Sequence, residues 1–317
     1  MHCKALERKG SVSLGIVREE LVWVAAERGY VYLLGYTHRL ARVRFLRVSR
    51  AGGEQETLVE QKGLGEPSEL VLRDGAAYYT QGGSLFRLGP EPSASVTLHR
   101  AADSPVAVDG DRAFFVDCDR PGKSDHLVEQ PLSGGEARTL AELPHTPGTR
   151  CSYSSVVADA REVLIADWNG HLVHAVSRAD GAVRELVKQR GFVEDLMLET
   201  DTVSFLSKRG LERMDRTGAN SRILLASESV RAPYSRAKLH GGEYWLHDDI
   251  AYTTVTHLFR LPYQGGTPQA MATYKVAEPT LDTPGDEQLV SFGVDDECAY
   301  FTRKRHGQPL ELLARAR

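Results

Sequence analysis

The sequence predicts an all-β chain folded as a single seven-bladed β-propeller, each blade built of four antiparallel strands. Three observations carry that expectation. A degenerate two-strand unit recurs seven times, Gly-rich hairpins follow most copies, and the two chain ends look like complementary parts of one blade.

The recurring unit is an apolar strand, a tight polar turn, and a second strand ending in aliphatic or aromatic residues. Its copies are Val24–Leu33, Leu72–Tyr79, Val108–Phe115, Ala158–Ile165, Leu198–Phe205, Leu239–Leu246 and Val294–Phe301. Pairs such as Asp74-Gly75 and Asp109-Gly110 supply the positive φ angles of a two-residue hairpin, and the flanking Val, Tyr and Phe suit a pleated, buried surface. The copies end at 33, 79, 115, 165, 205, 246 and 301, spacings of 36 to 55 residues, within the range of propeller repeats. Long apolar patterns of helical period are missing, which excludes a helical solenoid.

A third strand and a hairpin into a fourth complete each unit. Phe45–Val48 precedes Ala51-Gly52-Gly53, Leu127–Leu132 precedes Ser133-Gly134-Gly135, Leu172–Val176 precedes Ala179-Asp180-Gly181, and Leu258–Leu261 precedes Gln264-Gly265-Gly266. The expected blades are 21–60, 67–100, 104–142, 152–188, 193–227, 236–275, and 287–317 completed by 8–16, all in one domain of residues 1–317. The last unit stops after its third strand, Leu310–Ala314, and Arg8–Leu14 has the pattern of the missing outer strand. Pairing the two removes the open edge of an unclosed ring. Counted round the ring, 49 residues separate position 301 from position 33, a normal blade length that favours seven blades over the alternative of six.

Composition is that of a soluble globular protein, with 41% hydrophobic and 26% charged residues. A formal net charge of −4 gives no field favouring nucleic acid, and no apolar run is long enough for a membrane span. The four cysteines, Cys3, Cys118, Cys151 and Cys298, lie far apart, so neither a zinc ribbon nor a disulfide scaffold is expected. A reducing, cytoplasmic location is the default that follows, with a monomer as the expected state.

Leu164–Ala175, which contains Asp167-Trp168-Asn169-Gly170, and Tyr78–Leu88 resemble the Tyr-Trp-Thr-Asp repeats of lipoprotein-receptor propellers. The Gly-Gly hairpins are similar to those of bacterial TolB-like propellers. The resemblance implies a binding propeller. No segment has the full four-residue signature, and those families are typically six-bladed.

No complete catalytic motif occurs, neither a nucleophile elbow, a zincin helix, a P-loop nor an EF-hand. Candidate residues are therefore those that a ring gathers at the face where the second strands end. Asp117 and Asp119 with His126 are the candidate ligands for a divalent cation such as Ca or Mg. Asp167, Trp168, His171 and Asp195 are candidate ligand-binding residues, with Trp168 a stacking platform and Asp167 equally a turn-former. His247 with Asp248, in a polar connection, and Glu194, at the start of an inner strand, are the candidate acid–base groups. The reading that follows is a non-catalytic propeller binding a protein or small ligand through its loop face. The alternative is a lyase or hydrolase with a metal or acid–base site at the channel mouth. A carbohydrate site on Trp168, Tyr36 and Trp245 ranks last.

Overall fold

The computed structural model describes residues 11–62, 65–89, 95–118, 124–144, 151–188, 191–226, 236–248, 255–275, 287–305 and 308–317. Seven four-stranded antiparallel sheets follow one another along the chain. Blade 1 is β2 (Leu21–Glu27), β3 (Tyr30–Thr37), β4 (Arg42–Ser49) and β5 (Glu56–Lys62); blade 2 is β6 (Val71–Arg73), β7 (Ala76–Gln81), β8 (Ser84–Leu88) and β9 (Ser95–Arg100). Blade 3 is β10 (Ala107–Asp109), β11 (Arg112–Cys118), β12 (Asp125–Pro131) and β13 (Arg138–Leu143); blade 4 is β14 (Tyr153–Ala158), β15 (Glu162–Asp167), β16 (Leu172–Ser177) and β17 (Val183–Lys188). Blade 5 is β18 (Val193–Leu198), β19 (Thr202–Ser207), β20 (Gly210–Asp215) and β21 (Arg222–Ala226); blade 6 is β22 (Arg236–His240), β23 (Glu243–Asp248), β24 (Val255–Pro262) and β25 (Gln269–Lys275). Blade 7 is β26 (Glu287–Val294), β27 (Cys298–Arg305) and β28 (Leu310–Ala316), completed by β1 (Val12–Val17).

The ring closes as the sequence predicts. Strand β1 runs antiparallel to β28 as the outermost strand of blade 7, from Val12 opposite Ala314 to Val17 opposite Leu310. A bulge at Gly15, whose φ is +147°, lets the strand bend there. The tight turn at Asp74-Gly75 has φ angles of +52° and +74°, the left-handed pair that a two-residue hairpin demands.

The seven recurring units correspond to the first and second strands. The second strands are buried almost throughout, as in Val31–Tyr36 and Val163–Asp167, because their two faces pack against two different blades. Val31 and Leu33 face blade 7 while Tyr32 and Leu34 face blade 2. Buried side chains gather into a cluster at each of the seven blade boundaries. Each fully buried Leu, Val or Phe there contributes roughly 1.5–3 kcal/mol.

A polar device reinforces the boundaries on the face that carries the turns between first and second strands. The residue just after the third strand is an arginine in four blades, and each reaches back to that turn in the preceding blade. Arg50 meets Asp295 at 3.2 Å and Glu297 at 3.0 Å, tying blade 1 to blade 7. Arg178 meets Asp109 at 2.6 Å, Arg216 meets Asp159 at 2.6 Å and Glu162 at 3.0 Å, and Arg317 meets Glu243 at 2.8 Å. The turn aspartates thus shape their hairpins and also anchor the next blade.

The cysteine expectation is corrected. Cys118 and Cys151 form a disulfide with Cα atoms 5.5 Å apart, and Cys298 is also disulfide-bonded. Cys118 ends β11 and Cys151 precedes β14, so 33 residues of separation bring them to one face of adjacent blades. No helix among the described residues is long and apolar enough to cross a membrane.

Candidate functional site

Antiparallel connectivity puts the starts of the first strands and the turns between second and third strands on one face, opposite the arginine staples. The first strands line the central axis. Between those of blades 1 to 6 lies a cavity of about 770 Å3, reached by Trp23, Glu69, Ser155, Asp195, Arg236 and Lys238 among others. That volume falls within the range of small-molecule sites.

Blade 5 contributes a carboxylate by breaking its own ladder. The register of β18 on β19 slips between Glu194 and Met197, and Asp195 in that slip has a φ of +46°. Aspartate tolerates this left-handed conformation better than most residues, and such a bulge re-aims a side chain. Asp195 Oδ2 accepts the Ala237 amide at 2.6 Å, so β18 is pinned to β22 of the next blade. On its other side the Ser154 hydroxyl donates to the Val193 carbonyl at 2.7 Å, and Ser155 Oγ accepts the Leu196 amide at 3.0 Å.

Blade 6 contributes two cations. Arg236 and Lys238 alternate on β22 and share its axial face. Glu69, just before β6 in blade 2, crosses the channel to them, with Oε1 at 3.0 Å from Lys238 Nζ and Oε2 at 3.7 Å from Arg236. The same three residues also border a smaller cavity of about 180 Å3, which Ser291 and Phe292 of blade 7 help to line.

The electrostatics of the mouth are uneven. Burial pushes Asp195 up to about 7; Arg236 opposes the rise, and the Glu69 and Glu194 charges add to it. Burial also raises Glu194, against the pull of Arg236 and a hydrogen bond from Trp168. Burial acts to raise Glu69 too, but Lys238 and Arg236 outweigh it and hold that carboxyl below its ordinary range. The site therefore offers a firmly ionised carboxylate, a carboxyl poised near neutrality, and two cations in a space surrounded by protein.

Of the residues singled out from the sequence, the structure brings together Trp168, Glu194 and Asp195. Trp168 stands in the turn between β15 and β16, 45% exposed, with its indole toward Glu194. Asp167 is buried and accepts the Ser152 hydroxyl at 2.8 Å and the Gly170 amide at 2.9 Å, the bonding of a turn-former. A Cβ at Gly170 would sit 2.3 Å from that carboxylate. His171 closes the same turn with a φ of +54°.

His247 and Asp248 end strand β23 instead of lying in a connection. His247 is buried and meets the Phe292 ring edge-on, across the ladder from Arg236. Asp117 and His126 face each other across β11 and β12, and Asp119 lies outside the described residues. Among the described residues, no group of three His, Cys, Asp or Glu side chains is placed to hold a metal ion. Tyr36 and Trp245 are buried in blade-boundary clusters and present no ring at the surface. Sequence reasoning missed Glu69, Arg236 and Lys238. Their signal is charge alternating with apolar residues in the innermost strands, as in Arg236-Ala237-Lys238-Leu239.

No family model matches the chain, and no curated protein matches its sequence. Its fold is similar to that of an oligogalacturonate lyase from Vibrio parahaemolyticus, at 11% identity and a TM-score of 0.68 over 96% of this chain and 93% of that one. It is also similar to BamB from Moraxella catarrhalis, at 14% identity and a TM-score of 0.61 over 96% and 99% of the two chains. A puromycin-hydrolyzing peptidase of Mycobacterium tuberculosis matches at 13% identity and a TM-score of 0.61, over 96% of this chain and 53% of that one. The likeness to bacterial propellers read from the sequence holds at the level of fold.

Proposed function

We propose that this propeller binds a small molecule or a peptide end at its channel mouth and performs no chemistry on it. The observation that carries this is the cavity of about 770 Å3 on which ionic groups of blades 2, 5 and 6 converge. A concave site with a few convergent polar groups is the usual form of a ligand pocket. The folds it resembles serve both binding and catalysis, so fold alone does not choose between them.

A lyase or hydrolase reading draws on one feature. Asp195, held near neutrality beside Arg236, has the poise of a general acid–base group. One experiment separates the two. A mixed panel of small molecules and short peptides is screened by ligand-observed NMR against the wild type and against Leu72→Trp, which adds bulk at a residue lining the cavity, with unchanged circular dichroism showing that the ring persists. Ligands that bind the wild type unchanged and are lost on Leu72→Trp support the binding reading. Turnover of a ligand supports the enzyme, and binding that survives Leu72→Trp moves the site elsewhere.

The Cys118–Cys151 bond favours an oxidising compartment over the cytoplasmic expectation, because such bonds persist where thiols are not kept reduced. Alkylation of the protein in its native cells, followed by mass spectrometry, should find both thiols blocked; free thiols would return the protein to a reducing compartment.

A further inference from the structure

The cross-channel bridge has features that a structural tie does not need. Glu69 belongs to blade 2 and its partners to blade 6, so the contact skips every packed blade boundary. Its participants are open to the channel, Glu69 at 36% and Arg236 at 46% side-chain exposure, and ion pairs in that setting contribute little stability. Yet the geometry is specific: each oxygen of one carboxylate faces its own cation. We infer that Arg236 and Lys238 form a clamp for the carboxylate of a ligand, and that Glu69 occupies it as an internal stand-in. The inference rests on the channel reading above and gives the ligand a chemical class: a carboxylate on a body small enough for the main cavity.

The surroundings fit a displaceable occupant. Glu69 lies before β6, outside the ladder, so moving its side chain breaks no strand pairing. Its neighbour Ser68 is fixed, donating its amide to the Thr80 carbonyl at 2.7 Å and accepting the Thr80 amide on Oγ at 2.8 Å. Only the Glu69 side chain has to swing into the open channel. An incoming carboxylate replaces it one for one, leaving the charge at the clamp unchanged. Trp23 borders both the main cavity and the smaller one, and Lys238 lies 5.6 Å from the centre of the Phe292 ring. A ligand carboxylate held between the two cations would place its body in the main cavity against the Trp23 ring.

The test uses benzoate, with benzamide as its uncharged counterpart, titrated by calorimetry into the full chain. Glu69→Gln removes the internal competitor, whose effective concentration is on the order of millimolar. It should bind benzoate about tenfold more tightly than the wild type while benzamide is unaffected. Adding Lys238→Met to Glu69→Gln should abolish that gain, with unchanged circular dichroism showing that the ring persists. Benzoate bound no better by Glu69→Gln than by wild type, or no binding at all, would overturn the clamp. Binding of both probes alike, lost on Leu72→Trp, would overturn the clamp and leave the channel reading standing.

Discussion

Two arginines at opposite faces of the ring show how differently this protein uses charge. Arg216, 11% exposed, donates to Asp159 at 2.6 Å and to Glu162 at 3.0 Å, and its Nε donates to the Glu199 carbonyl at 2.9 Å. Arg236 is 46% exposed and its carboxylates stand at 3.7 and 4.0 Å, beyond hydrogen-bond length. The first is saturated and closes a boundary between blades 4 and 5. The second keeps donor capacity in reserve beside a cavity. The saturated pair marks structure, and under the clamp inferred above the unsaturated one is where a ligand carboxylate would supply the missing bonds.

The largest expected effect tests that contrast directly. Arg216→Ala takes a shared cation from Asp159 and Glu162, which keep the Arg161 and Glu162 amides and Arg184 as other partners, and should cost about 2 kcal/mol in urea denaturation at pH 7, the worth of charge-assisted hydrogen bonds. Arg236→Ala should change stability by no more than about 0.5 kcal/mol, as an open ion pair does. If the two variants lost equal stability, the mouth would be a structural tie like the staples.

The same contrast decides what the sequence makes legible. Blade count follows from the second strands, whose apolar runs such as Phe114-Phe115 and Leu164-Ile165 must be covered on both faces, and closure from the complementary patterns of the two chain ends. The staples were written in the chain too, in Val48-Ser49-Arg50 and Val176-Ser177-Arg178, but an arginine after a strand says nothing of the acid it meets in another blade. Glu194, Asp195 and Trp168 could be placed at the mouth because they open an inner strand or sit in a turn on the same face. Glu69 and Lys238 could not be paired, because a contact between blades 2 and 6 leaves no trace in local pattern. The Cys118–Cys151 bond was hidden in the same way, by a sequence separation of 33. His247 read as part of a connection because polar Asp248 and Asp249 follow it, whereas β23 continues through Asp248.

A smaller effect sharpens the comparison through pH, since the two faces should respond with opposite sign. Burial acts to raise Asp159, but the Arg216 hydrogen bond and the amides of Arg161 and Glu162 hold its carboxyl below the ordinary value of 3.8. A depressed folded pKa adds stability above the unfolded value, and that contribution disappears as pH falls through the folded one. Asp159→Asn should therefore cost about 1–2 kcal/mol at pH 7, a hydrogen-bonded charge being worth that much, and the cost should fade in acid. Asp195 is raised from 3.8 to about 7, so its neutral form suits the fold and the wild type loses stability as pH rises between those values. A tenfold change in proton affinity between folded and unfolded chain is worth about 1.4 kcal/mol, and access to channel water lowers what is realised. Asp195→Asn, which keeps an oxygen for the Ala237 amide, should match wild type at pH 4 and be more stable by about 1 kcal/mol at pH 8. The two denaturation series, run from pH 2 to pH 8, would diverge with opposite sign from a common acid baseline if the mouth is under charge strain and the staples are not. An Asp195→Asn variant less stable than wild type at pH 8 would mean that the Arg236 attraction outweighs burial. Asp195 would then be one more structural anchor, and the strain that singles out the mouth would be gone.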